Sequence, residues 1–248
     1  MQENTNKSLA VNPLALYTRL LVTAICGLFT TRFALEALGV VDYGLFSVIG
    51  SIISFIAIIN TIMVSTSNRF IAVAIGKRDV GEANKQFNVC LIIHIVISFC
   101  TILFALPIGE WYIYHYLNYA GDITNALMVF RFTIIASAVT FIGVPYNGLL
   151  SAKEKFIVFC VPDIISHILK LVVAYLIVSY FENKLMIYSL SIAIFTAYPV
   201  VVYIIYCRKN YHEISHITFI RDKKCYKEII IFSAWVTYGA IAYVGKAQ

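Results

Sequence analysis

Asp163, His167 and Lys170 lie four and three residues apart inside the apolar stretch 156–180. On an α-helix the i, i+4, i+7 spacing projects all three from one face. A charged side chain at the centre of a bilayer costs about 2.5–3.5 kcal/mol on insertion scales, against about −0.3 to −0.6 kcal/mol for each Leu, Ile, Phe or Val. Such a helix still inserts, but its polar stripe must turn from lipid toward protein or a wet cavity. Two readings stay open: the stripe lines a functional cavity, or the three side chains satisfy one another and only pack helices. Arg131 is a second deep charge, about five residues into the run 126–150 and roughly 7–8 Å below its outer end. Arg19 stands in the inner part of the run 13–35, where a cavity mouth on that side would open. Snorkelling to headgroups is the commoner explanation of such an arginine.

The elements that must position these groups are membrane helices. Hydrophobic residues make up 60% of the 248, charged residues 13%, and mean hydropathy is +0.83. A soluble domain of this length needs far more polar surface. The apolar runs reach or approach the ~20 residues that cross a hydrocarbon core about 30 Å thick, and they are too long and too uniform for alternating barrel strands. The expected fold is an all-α polytopic membrane protein. It has an N-terminal six-helix bundle over 1–207, with spans at 13–35, 44–66, 88–107, 126–150, 156–180 and 185–207. A basic loop at 208–228 follows, and then a seventh, truncated segment at 229–248. Gly39 and Gly44, Gly76 and Gly81, then Pro107, Gly109 and Gly121 punctuate the first three loops. Residues 1–12 are polar and no cleavage pattern follows the first run, so that run is read as a retained helix.

Lys and Arg fix the expected orientation. Loop 67–87 holds Arg69, Lys77, Arg78 and Lys85, the turn at 151–155 holds Lys153 and Lys155, and loop 208–228 holds six more. Segments 36–43 and 108–125 hold none, and 181–184 holds only Lys184. Positive charge on the cytoplasmic side places the N-terminus inside and 108–125 outside, in the inner membrane of a bacterium. Trp111, Tyr112, Tyr114, Tyr116 and Tyr119 then sit as outer interfacial anchors. The six cysteines form no CxxC pair and no zinc spacing, so they read as small hydrophobes. No GxxxxGK[ST], HExxH or GxSxG string occurs, which argues against an enzyme and points to no cofactor and no metal. The net charge of +6 is carried by loops of a membrane protein and does not indicate nucleic acid.

Several strings carry a resemblance. They are Tyr17-Thr18-Arg19-Leu20, Thr31-Arg32-Phe33 and the run from Leu38-Gly39-Val40-Val41-Asp42 to Tyr43-Gly44-Leu45-Phe46. Further along stand Ser67-Asn68-Arg69-Phe70-Ile71, Gly76-Lys77-Arg78-Asp79, Val144-Pro145-Tyr146-Asn147, Ala152-Lys153-Glu154 and Leu169-Lys170-Leu171. In this order and spacing the chain resembles the N-terminal half of Wzx-like polysaccharide or O-antigen flippases of the MATE/MOP transporter superfamily. The resemblance implies two six-helix bundles rocking about a central cavity. It implies an undecaprenyl-pyrophosphate-linked oligosaccharide as cargo, carried from cytoplasmic to periplasmic leaflet during lipopolysaccharide or capsule assembly. Membrane lipids and polysaccharide-assembly proteins are the implied partners. The chain ends at Gln248, just past the seventh run, so only the first bundle and the entry helix of the second are expected in it.

Against that background Arg32, Arg131 and Lys170 would stand at comparable depth and attract a lipid pyrophosphate, which guanidinium binds in bidentate fashion. The resemblance implies that Arg32 faces the cavity; snorkelling of Arg32 and Arg131 is the alternative. Asp163 and His167 would add a polar stripe to the same wall. Ser47, Ser51, Ser54, Asn60, Thr61 and Ser65 fit close helix packing or a wet path in the second span, and His94 with Ser98 fits a helix–helix hydrogen bond. Pro145, Pro162 and Pro199 should kink the last three spans. Basic loop 208–228 fits plain topology, or attraction of acidic headgroups or a cytoplasmic glycosyltransferase. Two rivals remain. A cation-coupled multidrug exporter of the same superfamily would need intramembrane carboxylates, of which the deep set has only Asp163. An inactive or structural half-transporter is the other.

Overall fold

The computed structural model describes the backbone of residues 2–117, 119–180 and 183–246, and the side chains of 12–54, 56–117, 119–180 and 183–239. Helices follow in the order α1 (Gln2–Gly76), α2 (Val80–Cys100), α3 (Leu106–Tyr116), α4 (Ile123–Ala152), α5 (Phe156–Tyr180), α6 (Lys184–Asn210), α7 (His212–Ser215) and α8 (Lys223–Lys246). Six helical segments among the described residues are long and apolar enough to cross a membrane. Two come from α1, and the others are Val80–Tyr116, α4, α5 and α6. The outward faces bear large apolar side chains such as Leu28 at 75% exposure and Tyr180 at 76%. A surface of that kind belongs in lipid. The chain is a multi-pass membrane protein.

The first two expected spans are one helical run broken at Gly39, whose φ of 74° and ψ of 176° leave the helix. Glycine alone takes that backbone without a Cβ penalty. The chain reverses there. Before the break Ala34 and Ala37 pack with Ala174 and Ile177 of α5; after it Leu45 and Ile49 pack with Ile113, Leu127 and Phe130, and Ile71 packs with Leu149.

The third span runs longer than the sequence suggested. Pro107 does not end it, because a π-helical turn over Thr101–Ala105 joins α2 to α3 and carries the helix to Tyr116. A proline lacks the N–H and crowds the carbonyl four residues back, and a widened turn just before it accommodates both. Gly109 of α3 then sits so close to Phe130 of α4 that a Cβ would lie 2.0 Å from the ring. Gly143 makes a similar close approach to Val200, drawing α4 onto α6.

The seventh apolar run is helical as α8, but it does not count among the six segments. Residues 247–248 of that run lie outside the described ones. The helix docks on α1: Arg69 stacks over Phe232 at 4.2 Å, Ser233 donates to Thr66 at 3.2 Å, and Ile229 is fully buried. The basic loop before it is strapped to α2. Asn84 donates to the carbonyls of Ile214 and His216, Asn88 donates to His216, the Thr218 amide donates to Asn88, and Lys85 pairs with Asp222 at 2.7 Å.

Candidate functional site

A cavity of about 370 Å³ opens among α1, α4, α5 and α6. Its charged wall is α5. Phe159, Asp163, Ser166, His167 and Lys170 all line it, as their shared helical face requires. Pro162 lies one residue before Asp163 inside α5 and leaves the carbonyl of Val158 without its intrahelical donor, loosening the turn that presents the carboxylate. Ser166 ties the helix to α6 by donating to the Phe195 carbonyl at 2.6 Å, and Tyr203 of α6 donates to the Phe159 carbonyl at 2.9 Å.

Asp163 finds its partner across the cavity. Both Nε and Nη2 of Arg19 lie 2.6 Å from Asp163 Oδ2, and the guanidinium stacks over Phe159 at 4.5 Å. The pair is mostly enclosed, with side chains 29% and 20% exposed. His167 Nδ1 lies 2.9 Å from the backbone carbonyl of Asp163 and donates to it, which leaves Nε2 free of that bond. No self-satisfied Asp–His–Lys ladder forms, because the carboxylate is held from α1. Among the described residues Lys170 has no ion pair. Among the described residues the cavity is therefore lined by one arginine and one lysine against one carboxylate, with His167 beside them. Asn60 of α1 donates to Thr140 of α4 at 3.0 Å while its Oδ1 has no partner.

The expected cluster of Arg32, Arg131 and Lys170 is not assembled. Arg131 pairs with Glu110 of α3, Nε to Oε1 at 2.6 Å. It lies about 13 Å along α4 from Thr140, the nearest cavity residue of that helix. Arg32 is exposed and lies about 19 Å along α1 from Arg19, near the C-terminal end of α5, where the neighbouring Phe33 meets Tyr175. Only Lys170 of the three lines the cavity. Arg19, Asp163, His167 and Lys170 are thus brought together, and Arg32 and Arg131 stand outside.

Asn60, Phe159 and Tyr203 escaped the sequence reading as site residues. Asn60 carried a signal as the one amide in the polar stretch of the second span. Phe159 and Tyr203 carried none, being aromatics in apolar runs. Ser98 does make the expected interhelical bond, donating to the Ala138 carbonyl of α4 at 2.8 Å, whereas His94 bonds to Cys90 of its own helix.

No family model and no curated protein sequence matches the chain. Two solved structures share its fold. One is a MOP superfamily transporter from Pyrococcus furiosus, described as having a binding pocket of reverse polarity that suggests a different function. It is 16% identical with a TM-score of 0.73, over 96% of this chain and 54% of that one. The other is a multidrug resistance MATE family transporter of the same superfamily in an inward-facing conformation. It is 15% identical with a TM-score of 0.62, over 88% of this chain and 51% of that one. The chain therefore has the fold found in MOP transporters and spans about half the length of these two.

Proposed function

We propose that the chain is the N-terminal lobe of a transporter for an anionic lipid-linked oligosaccharide, moved from the cytoplasmic to the periplasmic leaflet by alternating access. In this reading the protein lies in the inner membrane with its N-terminus cytoplasmic. The lobe is the six-helix bundle of 1–207, followed by a basic strap over 208–228 and a seventh segment. It moves its cargo without altering it chemically.

The observation that carries the reading is the cavity's charge. Arg19 pairs with Asp163, and among the described residues Lys170 is left without an ion pair in a partly buried position on the cavity wall. A cation so placed attracts an anion far more strongly than it would in water. A lipid pyrophosphate supplies that anion, and sugar hydroxyls would meet Asn60, Thr140, Asn147 and His167. At about 370 Å³ the cavity accommodates a pyrophosphate and adjoining sugar but not a long glycan, so a facing lobe would complete it.

A multidrug exporter is the second reading, favoured by the MATE neighbour and by Asp163 as the cavity's carboxylate. The two separate by ligand sign. Purified protein is titrated with a fluorescent polyprenyl-pyrophosphate-linked saccharide and, in parallel, with ethidium. Binding of the pyrophosphate ligand that weakens about tenfold in Lys170→Gln, a change of about 1.4 kcal/mol, supports the flippase reading. Ethidium binding lost in Asp163→Asn, with no pyrophosphate binding, supports the exporter.

A further inference from the structure

We propose that a second pocket, between the α1–α2 turn and the α4–α5 turn, holds the phosphate headgroup of an anionic membrane lipid. It is separate from the central cavity and does not depend on what that cavity carries. The space is about 200 Å³. Ile75, Ala83 and Ile214 form its apolar floor, and Arg78 and Lys153 supply its cations. Asp79 is its one acid, and that carboxylate already caps α2 by accepting from the Glu82 amide at 3.1 Å. Neither Arg78 nor Lys153 has an ion pair among the described residues; Lys153 lies over the Tyr211 ring at 5.7 Å. A guanidinium and an ammonium converging on a small space, with the neighbouring carboxylate engaged elsewhere, suit a phosphate.

The surroundings select a lipid as its source. Val73 lies just over one turn before Arg78 on α1 and is 54% exposed, and Ile157 lies about one turn after Lys153 on α5 and is 51% exposed. Exposed apolar side chains that close to both turns put the pocket at headgroup depth, where basic pockets recognise anionic lipids. Arg78 also occupies left-handed backbone, φ 57°, where a glycine would close α1 more easily.

That backbone supplies a clean variant. Arg78→Gly removes the guanidinium while easing the turn, so the protein keeps its fold. The test is native mass spectrometry of the purified full chain in detergent, titrated with phosphatidylglycerol and, separately, phosphatidylcholine. Wild type should retain phosphatidylglycerol in preference. Arg78→Gly and Lys153→Gln should each weaken that retention about fivefold, the worth of one basic residue at a membrane surface. The Lys223→Gln/Lys224→Gln pair, outside the pocket, should leave it unchanged. Equal retention by Arg78→Gly and wild type would overturn the proposal. So would equal retention of the two lipids, or an equal loss in the Lys223/Lys224 pair. Displacement of phosphatidylglycerol by inorganic phosphate would assign the pocket to the free ion instead, and would also overturn it.

Discussion

Arg19 and Asp163 come from helices 144 residues apart and meet at 2.6 Å in a mostly enclosed space. Removing either partner leaves the other charge uncompensated, and that costs more than the pair itself contributes. Arg19→Gln and Asp163→Asn should each lower stability in detergent by about 1–3 kcal/mol, and the double variant should recover part of the loss. Thermal unfolding of the four proteins measures that coupling. Strictly additive losses would mean that the pair does not hold α1 to α5. The face shared by Asp163, His167 and Lys170 was legible in the sequence because helical period alone fixes it. The partner of Asp163 was not, because periodicity does not say which helix faces which. Glu110 was missed as the partner of Arg131 for a related reason: reading Pro107 as a helix end put Glu110 in a loop.

Among the elements, two glycines set the geometry that carries the cavity walls. Gly39 takes left-handed backbone where α1 turns back, with open space around it. Gly39→Ala should therefore cost about 1–3 kcal/mol through backbone conformation alone, seen as a lower unfolding temperature. Gly109→Ala tests packing instead. Its Cβ would collide with Phe130, so α3 must move off α4, at about 1–3 kcal/mol. Phe130→Leu should relieve part of that cost, and a Gly109→Ala protein as stable as wild type would contradict the contact. Six of the spans were readable from apolar length, and Gly39 was readable as a break. The π-helical turn before Pro107 was not, since nothing in the run Thr101-Ile102-Leu103-Phe104-Ala105 departs from an ordinary apolar helix.

At the scale of the whole molecule, the strap of 211–222 fastens α2 to α6 and α8 and should respond to acid. Lys85 beside Asp222 holds that carboxyl below the usual carboxylate range. A depressed folded-state value means the contribution is complete above the unfolded carboxylate pKa and is lost as pH falls through the folded one. Hydrogen-exchange protection over 211–222, taken relative to the intrinsic rate at each pH, should fall on acidification through the carboxylate range. In Asp222→Asn it should already be low at neutral pH and change less. An acid response unchanged by the substitution would place the sensitivity elsewhere.

The bundle has the fold of one half of the solved MOP transporters, and its cavity charge is what distinguishes the two functional readings. The most direct measurement is a binding isotherm for a polyprenyl-pyrophosphate-linked saccharide, run on wild type and Lys170→Glu side by side. The account predicts saturable binding by wild type and loss of at least about tenfold on charge reversal, with the fold retained by circular dichroism. Equal affinity in the two proteins would contradict it, because the cavity's unmatched cation would then play no part in holding the cargo.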